Sequence, residues 1–163
     1  MNPQQRAFQR QALSDWETFQ YLRQRGKRVE CHELHYLQMV TEKLAKAYLW
    51  GTKTPPRPAH ASFVQFLRRA ALDSRIRQSL NLAQQRQLEE WIRSALPLAR
   101  AVEILAPALA QNRPNPEYPW PRDLPVIAPV EHDFAISREL DTAKGRKLID
   151  LIAKLISTFE QWA

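Results

Sequence analysis

The residues of this chain best suited to chemistry are its four histidines and its many arginines. Cleavage of a ribose-phosphate backbone needs a base for the 2′-hydroxyl and a cation for the charge that builds on the phosphorane. Histidine and arginine can fill those roles. Arg57 and His60, with two residues between them, are the candidate catalytic pair. A histidine at a helix start can equally serve as a cap. Arg25 with His32 and Arg28 with His35 each have six residues between them, and Arg122 with His132 has nine. His32 and His35 stand three apart beside Cys31 and Glu33, which is the spacing of half a metal site. No second ligand pair follows at a recognisable spacing, so no metal site is expected, and no cofactor either. Three widely separated glycines (Gly26, Gly51, Gly145) cannot build a phosphate-cradling loop. A nucleophile elbow, an HExxH run and zinc-finger spacing are all missing from the sequence.

Charge gives a broader signal. The chain carries a net +7, which favours anionic partners such as RNA or nucleotides. Two clusters stand out as candidate nucleic-acid-binding residues: Arg23, Arg25, Lys27 and Arg28, then Arg68, Arg69, Arg75 and Arg77. If the fold brought them together they would form one phosphate-binding surface. Tyr118 and Trp120 could stack on unpaired bases, or could pin their loop to a core. A single cysteine, Cys31, excludes an intrachain disulfide and reads as a small buried hydrophobe. No apolar run is long enough for a bilayer, and the N-terminus lacks the apolar stretch of a signal peptide. The expectation is a cytoplasmic protein without membrane contact.

These residues must be positioned by helices. Phe8, Ala12, Trp16, Phe19 and Leu22 fall on one stripe and predict a helix from Pro3 to Gln24. Leu34, Leu37, Thr41, Leu44, Ala45 and Tyr48 do the same for Cys31 to Trp50, with Glu42 and Lys46 spaced as a surface ion pair. Three prolines in Thr52 to Pro58 break the chain before a third helix, Ala59 to Leu72. Asp73 to Leu80 reads as a connection. A fourth helix begins near Leu82, and Pro97 is expected to kink or split it. Six of the twelve prolines lie between Arg113 and Pro129, which reads as an ordered loop held by Tyr118, Trp120, Val126 and Ile127. A short extended piece is possible between Val126 and Ile136. Leu148, Ile149, Ile152, Leu155, Ile156, Phe159 and Trp162 mark a final helix starting near Asp141 or Thr142. The class is all-α, read as one domain over residues 1–163.

Glu42, Lys43, Lys46 and Ala47, followed by His60 at a helix start, resemble the HEPN family of helical-bundle proteins. The resemblance covers about residues 5–110. It implies an antiparallel bundle of four to six helices, here with a Pro-rich loop before the last, and a homodimer. It also implies association with RNA or nucleotides, and for some members a nucleotidyltransferase partner in a toxin–antitoxin pair. Active members of that family are metal-independent ribonucleases whose arginine and histidine are four to six residues apart on a later helix. Arg57 and His60 are closer than that, and the pairs with six intervening residues begin the second helix instead. A non-catalytic protein-interaction module is the alternative reading.

Overall fold

A computed structural model describes residues 1–25, 28–51, 62–121 and 125–163. Among them the regular structure is helical, with no sheet: α1 (Pro3–Gln24), α2 (Glu30–Leu49), α3 (Phe63–Ala70), α4 (Ser74–Ser79), α5 (Gln85–Glu103), α6 (Pro107–Ala110), α7 (Ala135–Leu140), α8 (Ala143–Ser157) and α9 (Phe159–Trp162). No helix among the described residues is long and apolar enough to cross a membrane.

The α1–α2 pair is the framework. Asn2 and Gln5 form a reciprocal cap at 2.9 Å in each direction, which satisfies donors that a helix start leaves orphaned. The Asn2 amide also donates to the Trp50 carbonyl at 3.1 Å, tying the start of α1 to the end of α2. At the other end Arg23 reaches Glu33, so the two helices run antiparallel. Midway, Lys43 pairs with the buried Asp15. Glu42 accepts from Gln38 and pairs with Lys46. That ion pair is not the surface pair expected from spacing alone, because the Glu42 carboxylate is only 6% exposed. Ala47 is completely buried. Of the residues that carry the family resemblance, Glu42 and Ala47 thus lie in the interior of the bundle, with Lys43 and Lys46 ion-paired at its edge.

Around α2 pack α1, α3, α5 and a short 3-10 turn at Pro129–Glu131, while α8 lies against α5, α7 and α1. Leu37, Val40, Leu44, Phe66, Leu67, Ile92, Leu151 and Leu155 belong to a single buried apolar cluster. Each buried leucine or phenylalanine in it contributes about 1.5–3 kcal/mol of burial free energy.

Four local expectations differ from the structure. Asp73–Leu80 is not a plain connection: Asp73 accepts from the Arg75 N–H at 2.9 Å and caps α4, whose Ile76 is buried. Pro97 neither splits nor ends α5. It lies on the exposed side of the helix, where water can satisfy the carbonyl that loses its donor. No strand forms between Val126 and Ile136; the extended part is one isolated antiparallel bridge, Trp120 with Ile127. In the Pro-rich loop Trp120 is 4% exposed and Ile127 packs on the core, yet Tyr118 and Val126 face solvent. The final helix starts at Ala143 with Thr142 as its cap, and Gly145 sits where a Cβ would collide with the Leu140 backbone.

Candidate nucleic-acid interface

The two basic clusters occupy opposite ends of α2. Arg23, Arg25 and Arg28 lie at its start, whereas Asp73, beside α3 and α4, accepts from the Tyr48 hydroxyl near its end. Fifteen residues of helix separate Glu33 from Tyr48, or about 22 Å. The two clusters do not form one surface. Arg57, His60 and Lys27 lie outside the described residues.

Two of the first cluster's arginines, Arg23 and Arg28, are neutralised. Glu33, its side chain 2% exposed, accepts from Arg23 Nη1 at 2.6 Å and from Arg28 Nε and Nη2 at 2.8 Å each. Asp141, at the α7–α8 corner, takes Arg23 Nη2 at 2.5 Å and Arg28 Nη1 at 2.8 Å. Two guanidinium groups thus face two carboxylates. Hydrogen bonding to Glu33 holds the Arg28 guanidinium well above its ordinary value against the opposing pull of burial. A separate hydrogen bond, from Arg28 Nη1, keeps the Asp141 carboxyl below the usual carboxylate range. Among the described members of the cluster only Arg25 lacks an acidic partner, its guanidinium 4.7 Å from the Tyr21 ring centre.

In the second cluster Arg75 clamps Asp73 at 3.2 and 2.8 Å. Burial pushes the Asp73 carboxyl up, but the side-chain and backbone donors of Arg75 outweigh it and leave it below its ordinary value. Burial, and then the Asp73 charge, raises the Tyr48 phenol, with Arg69 acting in the other sense. Arg77 spends its guanidinium on the Leu82 and Ala83 carbonyls. Arg68 remains exposed and has no acidic partner among the described residues.

Arg68 has company that the sequence did not single out. The α3 and α5 helices run antiparallel, because the Val64 N–H donates to the buried Glu103 at 3.0 Å and Gln85 donates to the Ala71 carbonyl. Glu103 thereby places a carboxylate at the start of α3, where the helix dipole favours it. Arg68 is four residues after Val64 and three before Ala71, so it lies on the flank of α3 that faces α5. On α5, Arg86, Glu90, Arg93, Pro97, Arg100 and Ile104 recur at steps of three and four and are all exposed. Arg100 is one turn before Glu103, and Arg93 about two turns after Gln85, so both lean toward α3. Arg86 is bound to Glu90 at 2.7 Å. Arg93 and Arg100, about 10 Å apart along the helix, have no acidic partner among the described residues. The seven-residue spacing of Arg86, Arg93 and Arg100 was the available signal, visible only once α5 is known to run unbroken through Pro97.

His32 and His35 face the Pro-rich loop rather than another ligand pair. His35 Nδ1 is 3.2 Å from Glu117 Oε1, close enough for a charge contact but not aligned as a hydrogen bond. No group of three or more histidine, cysteine, aspartate or glutamate side chains among the described residues could hold a metal ion. Cys31 is 3% exposed, and burial pushes its thiol up, away from reactivity. No family model, curated protein or solved structure matches this chain.

Proposed function

We propose that this chain is an RNA- or nucleotide-binding helical-bundle module of HEPN-like kind, which engages phosphates along the α3–α5 seam. The observation that carries the proposal is the row Arg68, Arg93 and Arg100, exposed on one seam without acidic partners among the described residues. Guanidinium groups held on rigid helices suit phosphate contacts, and such contacts make affinity fall as salt rises. The test is anisotropy of labelled single-stranded RNA across a salt series. A steep loss of affinity, shallower in Arg93→Ala and Arg100→Ala, is expected. Affinity indifferent to salt overturns the reading.

A cytoplasmic homodimer, paired with a nucleotidyltransferase in a toxin–antitoxin manner, completes this reading. Sedimentation of the chain at high concentration tests the dimer, and a monomer there rejects it. The catalytic version is a metal-independent ribonuclease using Arg57 and His60. RNA cleavage unchanged in the doubly alanine-substituted chain removes that version.

The protein-interaction reading is favoured by one observation, the 61% exposure of Tyr118 on a loop that the buried Trp120 anchors. It predicts a protein partner that is captured by the intact chain and lost when residues 113–129 are replaced.

A further inference from the structure

Where α2 begins, the Pro-rich loop crosses it and leaves an open cleft of about 440 Å³, lined by His32, His35, Tyr36, Pro116, Glu117 and Tyr118. The loop side of this cleft is built, not draped. Asn115, 3% exposed, accepts the N–H groups of Glu117 at 3.1 Å and Tyr118 at 2.8 Å. That turn fixes the backbone of both residues before any ligand arrives. On the helix side, His35 and Tyr36 meet edge-to-face with ring centres 5.2 Å apart.

The chemistry is concentrated in one group. The Glu117 side chain is 22% exposed; its Oε1 stands 3.2 Å from His35 Nδ1, without hydrogen-bond alignment, and it accepts no aligned hydrogen bond among the described residues. An ionised carboxylate is an acceptor only, so from the loop side this cleft presents acceptor oxygens to whatever enters it. Beside it Tyr118 offers an aromatic face that is 61% exposed. The cleft therefore joins an exposed aromatic ring and a pair of acceptor oxygens in one lining.

A cage for a cation needs aromatic walls on several sides to replace its water, whereas a flat ring needs only one face and one edge. The open cleft suits the ring. Among the bases, guanine alone presents two adjacent N–H donors, N1–H and the 2-amino group. Adenine and cytosine set a ring acceptor beside the amino group, and uracil flanks its N–H with carbonyls. We infer that this cleft binds a guanine base, stacked on Tyr118 with Glu117 accepting its N1–H and 2-amino protons. The inference rests on the RNA reading only for the choice of a nucleobase over other rings, and it uses a different surface from the arginine seam.

The test is calorimetric titration of the whole chain with GMP, AMP, CMP and UMP at one salt concentration. GMP is expected to bind about tenfold or more tighter than the others. Glu117→Gln, which replaces one acceptor oxygen by a donor, should remove that preference while melting at the same temperature as the parent chain. Tyr118→Ala should weaken all four nucleotides. No preference for GMP, or a preference that survives Glu117→Gln, overturns the inference. So does binding of arginine amide or trimethyllysine with nucleotides excluded. A guanine-bearing oligonucleotide that binds tighter than GMP identifies RNA as the source of the base, and equal affinity identifies the mononucleotide; the base site stands in both cases. If RNA affinity ignores salt while GMP is still preferred, the seam reading falls and the guanine site remains.

Discussion

Two groups of arginines in this chain look alike in sequence and differ in physics. Arg23 in the last turn of α1 and Arg28 just before α2 are folded inward onto Glu33 and Asp141, with side chains only 20% and 30% exposed. Arg93 and Arg100 are spaced along a regular helix and remain solvated. The first group holds helices together; the second leaves its charge for something outside. Net charge does not distinguish them, because it counts both alike. What separates them is whether a buried carboxylate lies within reach, and Glu33 does so for only one group.

The strongest way to break this comparison is Glu33→Ala. It strands two partly buried guanidinium groups, and a fully buried pair that loses one partner costs about 3–5 kcal/mol. With Asp141 still present, a loss of about 2–3 kcal/mol is expected, read as a lower denaturant midpoint. An unchanged midpoint would mean that the clasp adds nothing to stability.

Next in size is a contrast between variants. Arg93→Ala with Arg100→Ala should leave stability within about 0.5 kcal/mol. It should also flatten the dependence of log affinity on log salt by about 1.4, at roughly 0.7 per phosphate contact on a single strand. Arg28→Ala should do the reverse, lowering stability and leaving the salt slope alone. If both variants change the slope equally, the distinction between locked and available arginines fails.

Acid should loosen only the locked group. The Asp141 carboxyl is depressed below its unfolded value of about 3.9, chiefly by its hydrogen bond from Arg28. Its contribution is therefore present above about pH 4 and is lost as pH falls through the lower folded value. Urea midpoints measured down this range should decline less steeply in Asp141→Asn than in the parent chain. The smallest effect concerns Arg86, which the exposed Glu90 partly occupies. Glu90→Gln should change stability by less than about 0.5 kcal/mol and modestly raise RNA affinity.

Much of the scaffold was legible in the sequence. The stripe from Phe8 to Leu22 marks α1 at its observed bounds, because its apolar periodicity runs unbroken along one face. Trp120 was recognisable as an anchor for the Pro-rich loop, since a large ring in such a loop has little else to do than pack. Tyr118, two residues away, carries the same sequence signal and points outward. Pro97 misled for a different reason. A proline weakens a helix only as far as the lost bond cannot be replaced by water, and exposure is a tertiary property. The arginine seam and the guanine cleft were not legible, because each joins residues from elements whose packing no local pattern specifies. His35 and Glu117, for example, meet only because the loop after α6 turns back across α2.

The clasp on Asp141 also has a meaning in time. At about 5–20 residues per second of synthesis, Glu33 precedes Asp141 by on the order of ten seconds. During that interval α1 and α2 can already pair, with Glu33 serving both arginines alone. The last helices then arrive at a corner whose charges are already oriented, and they complete it rather than create it.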